Sequence, residues 1–264
     1  MREITGHTRL FGILADPIHH VKTPQALNGL MRRRSIDGVL VPIHIASDGL
    51  PAAVAGLRQV KNLGGLVVTV PHKTAIVALC DAVEPHAKLV GAVNCIRREA
   101  GGRLVGTILD GAGFVAGLRQ GGIEPRGKSV YLAGAGGAAN AIAFSLAEAG
   151  ISRLTIGNRT KAKSDDLAAR LSRAYPGLPV VTGPTPVSGH DLVVNATSLG
   201  LKAGDPLPLD VSQLQASQIV AEIIMDPETT ALLATAKEKG CRVHYGRPML
   251  DAQLDLMAAF MEMR

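Results

Sequence analysis

Gly134-Ala135-Gly136-Gly137-Ala138-Ala139 spells G-x-G-x-x-A, directly after the apolar run Val130-Tyr131-Leu132-Ala133 and directly before a helical pattern of small residues over 140–149. In that setting each glycine has a task. Gly134 permits a tight turn, Gly136 lets backbone approach a pyrophosphate, and Ala138 or Ala139 allows close contact between helix and sheet, with Ala135 and Gly137 completing the loop. The free N–H groups at the start of the helix then receive the phosphates. A second strand over 153–156 completes a βαβ unit, and this context separates the motif from a Gly-rich turn that binds nothing. At the end of such a second strand an acid normally holds the ribose 2′-OH of the cofactor. Here the residues are Asn158-Arg159-Thr160-Lys161, and no acid follows until Asp165. A guanidinium matches a 2′-phosphate in bidentate fashion, so NADP is favoured, with NAD possible. The competing reading of Arg159 is an ordinary exposed loop cation.

Hydride transfer to or from an alcohol needs a group that takes or gives the hydroxyl proton. Such groups belong at the carboxyl ends of strands. Lys73 follows a continuous apolar run over 65–70, and Asp110 follows the strand pattern over 103–108. A Lys–Asp pair shares and relays a proton, the carboxylate holding the ammonium in place. From spacing alone, a solvated lysine and a helix N-cap at Asp110 stand as the alternatives.

The elements that must carry these residues alternate from end to end. Residues 9–15 read as a strand, and Thr23-Pro24 as a helix start with a hydroxyl cap. A strand over 39–45 and a helix from Ser47-Asp48 to about 60 follow. The run over 65–70 reads as a strand buried on both faces and ended by Pro71. Helical stretches over 74–79 and 85–90 precede strands 92–97 and 103–108. These flank Ala100-Gly101-Gly102, a hairpin signature that gives this sheet an antiparallel part. Further on come helices over 110–121, 165–175, 229–239 and 249–261, and strands over 191–195 and 218–224. The whole reads as two α/β domains.

Several motifs, in order, carry a resemblance. Asp16-Pro17-Ile18-His19-His20-Val21-Lys22-Thr23-Pro24 resembles P-I-x-H-S-x-S-P. Val68-Thr69-Val70-Pro71-His72-Lys73 resembles N-V-T-V-P-x-K. Gly91-Ala92-Val93-Asn94-Cys95 resembles G-A-V-N-T, and residues 106–114 resemble G-x-N-T-D-G-x-G-F. The glycine loop at Gly134, Asn158-Arg159-Thr160 and Asn195-Ala196-Thr197-Ser198-Leu199-Gly200 match cofactor-domain motifs, and residues 246–253 resemble G-x-x-M-L-x-x-Q. On these residues, over nearly its whole length, the chain resembles the shikimate dehydrogenase family. The resemblance implies an amino-terminal α/β substrate domain, 1–109 completed by 246–264, with a mostly parallel sheet. It also implies a Rossmann-type dinucleotide-binding domain over 110–245, the last helix returning to the first domain. It implies an NAD(P)-dependent oxidoreductase that interconverts shikimate, or a closely related cyclic hydroxy acid, and its 3-dehydro form. Lys73 is then the acid/base and Asp110 its partner. Thr69, Asn94, Asp110 and Gln253 meet ring hydroxyls, and Thr23 holds the carboxylate. Gly134, Ala135, Gly136, Gly137, Ala138, Asn158, Arg159, Thr160, Asn195, Thr197, Ile223 and Gly246 serve the cofactor.

The departures from the family pattern lie at the substrate end. Val21 replaces the first loop serine, Val67 the Asn before V-T-V-P, and Ile108-Leu109 the Asn-Thr before Asp110. His72 stands where an apolar residue is usual, and Met225 lies near a position that commonly carries a substrate-contacting Tyr. A site lacking a hydroxyl partner discriminates less in favour of that ligand group. Quinate, aminoshikimate or another cyclitol acid are therefore rival substrates. A weakly catalytic cofactor-binding sensor is the rival from another class, against which Lys73 and Asp110 speak. His19, His20 and His72 are candidates for positive or titrating groups at the rim of the site, with ordinary loop packing as the alternative, and His20, at a position that matches the family pattern, reads as structural support for the loop.

Composition bounds the rest. The 264 residues suffice for two domains, and 47% are hydrophobic against 19% charged, as in a globular protein. Aromatics are 3% and Trp is absent, so the cores are aliphatic. The net charge of +6 is scattered, its densest run, Arg32-Arg33-Arg34, ending a helix where cations complement the dipole. With few aromatics to stack on bases, an anionic small substrate and a phosphate-bearing cofactor are the expected partners, not nucleic acid. Cys80, Cys95 and Cys241 show no metal-ligand or C-x-x-C spacing, so no metal is expected. The polar opening and the lack of an apolar run of about 18 residues lead to the expectation of a cytoplasmic protein off the membrane, a monomer or homodimer.

Overall fold

The computed structural model describes residues 3–19, 21–183 and 185–264. The chain divides into two compact units: the residues up to Leu109 together with Leu254–Arg264, and Asp110–Gln253. His20 lies outside the described residues.

The first unit opens with β1 (Arg9–Ala15), α1 (Thr23–Arg33), β2 (Gly38–His44), α2 (Leu50–Arg58) and β3 (Leu63–Val68). A short 3₁₀ turn, β4 (Ala82–Val83), α3 (Pro85–Val90), β5 (Cys95–Arg98) and β6 (Leu104–Thr107) complete its own run. The six-stranded sheet has the order β2-β1-β3-β5-β6-β4. β1 pairs parallel with β2 and β3, whereas β5 runs antiparallel to both β3 and β6. Every residue of β3 is buried, as its unbroken apolar run requires of a central strand. The expected hairpin at Ala100-Gly101-Gly102 is present, with Gly101 and Gly102 both at positive φ. One expectation fails: Thr23 does not cap α1. Lys22 is the N-cap and Thr23 already has helical geometry, with Pro24 behind it in the first turn. Pro fits the first turn because its missing N–H would be unpaired there, so the hydroxyl cap is not needed to start the helix.

The second unit begins at the first residue of α4 (Asp110–Gln120). It continues β7 (Ser129–Ala133), α5 (Gly137–Glu148), β8 (Arg153–Gly157), α6 (Lys161–Ala174), β9 (Val180–Thr182), β10 (Leu192–Asn195), β11 (Ile219–Glu222), α7 (Ala231–Glu238) and β12 (Arg242–His244). Its strands are all parallel, in the order β12-β11-β10-β7-β8-β9. The chain thus builds outward from β7 in one direction, returns, and builds outward again from β10. The order reverses between β7 and β10, the place where open α/β sheets bind ligands at the strands' carboxyl ends. The last helix, α8 (Arg247–Phe260), runs across the division at Gln253. Among the described residues no helix is long and apolar enough to cross a membrane.

Candidate active site

The glycine loop lies between β7 and α5. Gly134 has φ +116°, and a Cβ there would stand 2.9 Å from the Ala196 carbonyl oxygen, so glycine serves both conformation and space. Gly136 and Gly137 are exposed, and a Cβ on either would meet nothing within 4 Å. Gly136 is the N-cap of α5 and brings no side-chain cap, which leaves the first N–H groups of the helix facing that open space. Asn140 Nδ2 donates to the carbonyls of Ala135 (3.1 Å) and Gly136 (2.8 Å), holding these acceptors away from the N–H groups. Of the two alanines weighed for close packing, Ala139 is fully buried and Ala138 half-buried. The loop, the bare helix start and the strand order fit the pyrophosphate of a dinucleotide.

Asn158, Arg159 and Thr160 follow β8. Asn158 Nδ2 donates to the Thr160 carbonyl at 2.8 Å and fixes the turn, while Arg159 is exposed. Asp165 is engaged elsewhere, by Lys161 Nζ at 2.5 Å and by the Thr182 hydroxyl at 2.7 Å. These two donors, Lys161 first, hold its carboxyl below the ordinary range. It is not poised to accept from a ribose hydroxyl, and Arg159 makes no ion pair among the described residues.

Beyond β10 and β11 the structure corrects one reading and adds a residue. Asn195, expected at the cofactor, is fully buried, and its carboxamide is committed within the unit. Its Oδ1 accepts from the Thr197 N–H (3.0 Å) and hydroxyl (2.7 Å); its Nδ2 donates to the Leu199 carbonyl (3.1 Å) and to Glu222 Oε1 (2.6 Å). Asn195 therefore shapes the loop that touches Gly134, and half-buried Thr197 is the part of that loop open to a ligand. Glu222, at the end of β11, is 0% exposed. Sequence reading passed over it, although a lone acid inside the apolar run 218–224 was the available signal. Burial raises its carboxyl above the ordinary range, against the lowering effect of the Thr230 and Asn195 donors. Ile223 is half-buried and Met225 is 44% exposed just beyond it. Gly246 is buried against that segment: a Cβ there would stand 2.3 Å from the Ile224 carbonyl oxygen, so the close approach needs glycine.

In the first unit the ends of β3 and β6 and the start of β5 meet. Val68 N–H donates to the Asn94 carbonyl (2.8 Å), Asn94 N–H to the Thr107 carbonyl (3.0 Å), and Val93 N–H to the Lys73 carbonyl (2.8 Å). Thr69, Lys73 and Asn94 thus spring from one corner of the sheet. Asn94 is buried, and its Oδ1 accepts from the Leu109 N–H at 2.9 Å, fixing the residue before Asp110. Val21 and Thr23 are half-buried on the segment leading into α1. His72 does not serve as a rim cation: it is 1% exposed, and its Nε2 lies 2.8 Å from the Ile45 carbonyl, so the ring ties the end of β2 to the turn after β3. His19 is exposed.

At the head of the second unit Asp110 is the first residue of α4, not its cap, and is 6% exposed. Gln253, 8% exposed, donates from Nε2 to Asp110 Oδ1 at 2.6 Å. Two residues 143 apart in sequence are thus joined, and the carboxylate is held from α8.

Two family models match: a shikimate dehydrogenase substrate binding domain over residues 13–96 and a shikimate/quinate 5-dehydrogenase domain over 119–201. A shikimate dehydrogenase (NADP(+)) of Rubrobacter xylanophilus is 38% identical, over 94% of this chain and 88% of its own. The crystal structure of a 5-ketofructose reductase of Gluconobacter sp. is 31% identical with a TM-score of 0.90, covering 97% of this chain and 94% of its own. That of a shikimate 5-dehydrogenase from Listeria monocytogenes, in complex with shikimate and NAD, is 30% identical with a TM-score of 0.91, covering 100% and 93%. By these matches, and by the glycine loop and strand order that precede them, the chain belongs to the shikimate dehydrogenase family.

Proposed function

We propose that this chain is an NADP-dependent oxidoreductase that interconverts shikimate, or a closely related cyclic hydroxy acid, and its 3-dehydro form. The unit made of the residues up to Leu109 and Leu254–Arg264 takes the substrate, and Asp110–Gln253 takes the cofactor. The observation that carries the reading is the buried Asp110 carboxylate held by Gln253 directly after the corner of Thr69, Lys73 and Asn94. When bound, the cofactor gives or takes the hydride. Lys73 exchanges the substrate's hydroxyl proton, with Asp110, oriented by Gln253, as its partner in the relay. Thr69 and Asn94 meet ring hydroxyls, and Thr23 meets the carboxylate. The bare N-terminus of α5 binds the pyrophosphate, and Arg159 the 2′-phosphate.

A second reading rests on Val21. It replaces the first hydroxyl residue of the family's loop pattern, and a 5-ketofructose reductase is among the similar structures. Steady-state assays with shikimate, quinate, aminoshikimate and 5-ketofructose, each with NADP(H) and NAD(H), separate the two. The proposal expects the highest kcat/KM with a cyclic acid and NADP(H). Preference for the ketose would establish the second reading, and cofactor binding without turnover on any of them would leave a sensor.

A further inference from the structure

β10 and β11 end side by side, with Asn195 and Glu222 in register. Glu222 accepts two hydrogen bonds of 2.6 Å, one at each carboxylate oxygen, from Asn195 Nδ2 and from the Thr230 hydroxyl. Backbone groups fix the direction of both. Asn195 Oδ1 must face the Thr197 N–H, a donor, and Nδ2 must face the Leu199 carbonyl, an acceptor, so an N–H points at Glu222. The Thr230 oxygen accepts from the Leu233 N–H as the cap of α7, which leaves its O–H for the carboxylate. Burial raises the carboxyl above the ordinary range, and the donors fixed on both oxygens pull the other way, towards the ionised form. Among the described residues no Lys, Arg or His forms an ion pair with Glu222, and its side chain is fully buried. A buried charge without a counter-ion is costly, which asks for a compensating partner.

The dinucleotide reading above supplies one. With the pyrophosphate at the start of α5 and Arg159 after β8 receiving the 2′-phosphate end, the redox half of the cofactor extends the other way, over the carboxyl ends of β10 and β11. Oxidised nicotinamide is a cation and reduced nicotinamide is neutral. We propose that Glu222 is an electrostatic bias on cofactor redox state: its buried carboxylate, lying under the loops that follow β10 and β11, favours binding of NADP⁺ over NADPH. It acts at a distance and touches no reacting atom. The inference rests on the assignment of this unit to a dinucleotide.

The test is the ratio of dissociation constants, Kd(NADP⁺)/Kd(NADPH), by direct NADPH fluorescence titration and by competition with NADP⁺. In Glu222→Gln, which keeps the shape and removes the charge, the ratio rises roughly threefold to thirtyfold, the range for loss of one unit charge about 8–13 Å from the nicotinamide at an effective dielectric of about 20–40. Glu222→Asp keeps the charge and is expected to leave the ratio within about twofold, whatever it does to thermal stability. A purely structural role would weaken both cofactors alike, so an unchanged ratio in Glu222→Gln overturns the proposal. Should that variant not melt cooperatively, Glu222→Met with Thr230→Val removes carboxylate and hydroxyl together and is held to the same ratio. Failure of the wild-type protein to bind either cofactor overturns the dinucleotide reading itself, a result distinct from binding with an unshifted ratio.

Discussion

Arg159 stands exposed at the end of β8 while the nearest downstream acid, Asp165, is held by Lys161 and Thr182. If Arg159 pairs with a 2′-phosphate, Arg159→Ala weakens NADP by roughly 1.5–3 kcal/mol, the size of a charged hydrogen bond, and leaves NAD nearly unchanged. Titration of both cofactors against both proteins checks this, and equal loss for NAD and NADP would contradict it. Lys73 carries the proton in the proposed reaction. Lys73→Ala is expected to lower kcat about 10²-fold or more with cofactor affinity unchanged, since the glycine loop belongs to the other unit. Near-normal turnover would remove Lys73 from the role. In the proposed site Val21 would leave a ring carboxylate one hydroxyl donor short, a loss of about 1.5–3 kcal/mol, or roughly tenfold to a hundredfold in affinity. Val21→Ser should therefore lower KM for shikimate at constant kcat, because the carboxylate is bound alike in ground and transition states. A raised or unchanged KM in saturating NADP would mean that Val21 faces something apolar. These residues were visible in the sequence because Lys73 and Arg159 fall on recognisable motifs and Val21 departs from one. Gln253 holding Asp110, and His72 turned inward to Ile45, were not, since both depend on partners far along the chain.

At the scale of elements, α4 is set by glycines that local propensity would disfavour. A Cβ at Gly111 would lie 2.0 Å from the Ala141 carbonyl oxygen and 2.4 Å from Ser145 Oγ, both on α5. Gly56, within α2, has nothing within 4 Å of its own Cβ position. Helix propensity alone predicts that Ala at either site stabilises by up to about 1 kcal/mol. The structure predicts opposite signs: Gly56→Ala gains up to about that much, while Gly111→Ala loses about 1–3 kcal/mol because backbone must move. Urea unfolding of the two variants decides, and a stabilised Gly111→Ala would refute the close packing of α4 on α5. The longer elements were legible from periodicity: β1, β3, the β5–β6 hairpin and the β7–α5–β8 unit fall within three residues of the expected bounds. What was missed has physical reasons. β4, β9 and β12 are two or three residues long and too short to show a period. α6 starts at Lys161 and not near Asp165, because Lys161 joins its first turn and pairs with Asp165 four residues on.

At the scale of the molecule, the first unit is not continuous in sequence: Leu254–Arg264, the end of α8 and the residues after it, belong to it. Met261 is fully buried, with its sulfur 2.7 Å from where a Cβ on Gly65 of β3 would be. Arg9 Nη1 donates to the Glu262 carbonyl at 2.6 Å, and the Arg97 guanidinium lies 5.0 Å over the Phe260 ring. Gly65 thus leaves a gap in a central strand that a residue about 200 positions later fills. Met261→Ala removes that filling from the first unit, and the cost of such a cavity is about 2–5 kcal/mol. The loss belongs to one unit, so its signature is specific. On the proposed assignment NADPH binds the native second unit and raises that unit's stability by ligand linkage, whereas it cannot repair the cavity beside β3. Calorimetry of Met261→Ala with NADPH should therefore resolve a lowered transition that the cofactor does not move from a later one that rises with cofactor concentration. NADPH affinity, measured below both transitions, should match the wild-type value. A loss below about 1 kcal/mol would mean that the strand closes without Met261. A single transition raised throughout by NADPH would mean that the two units unfold as one.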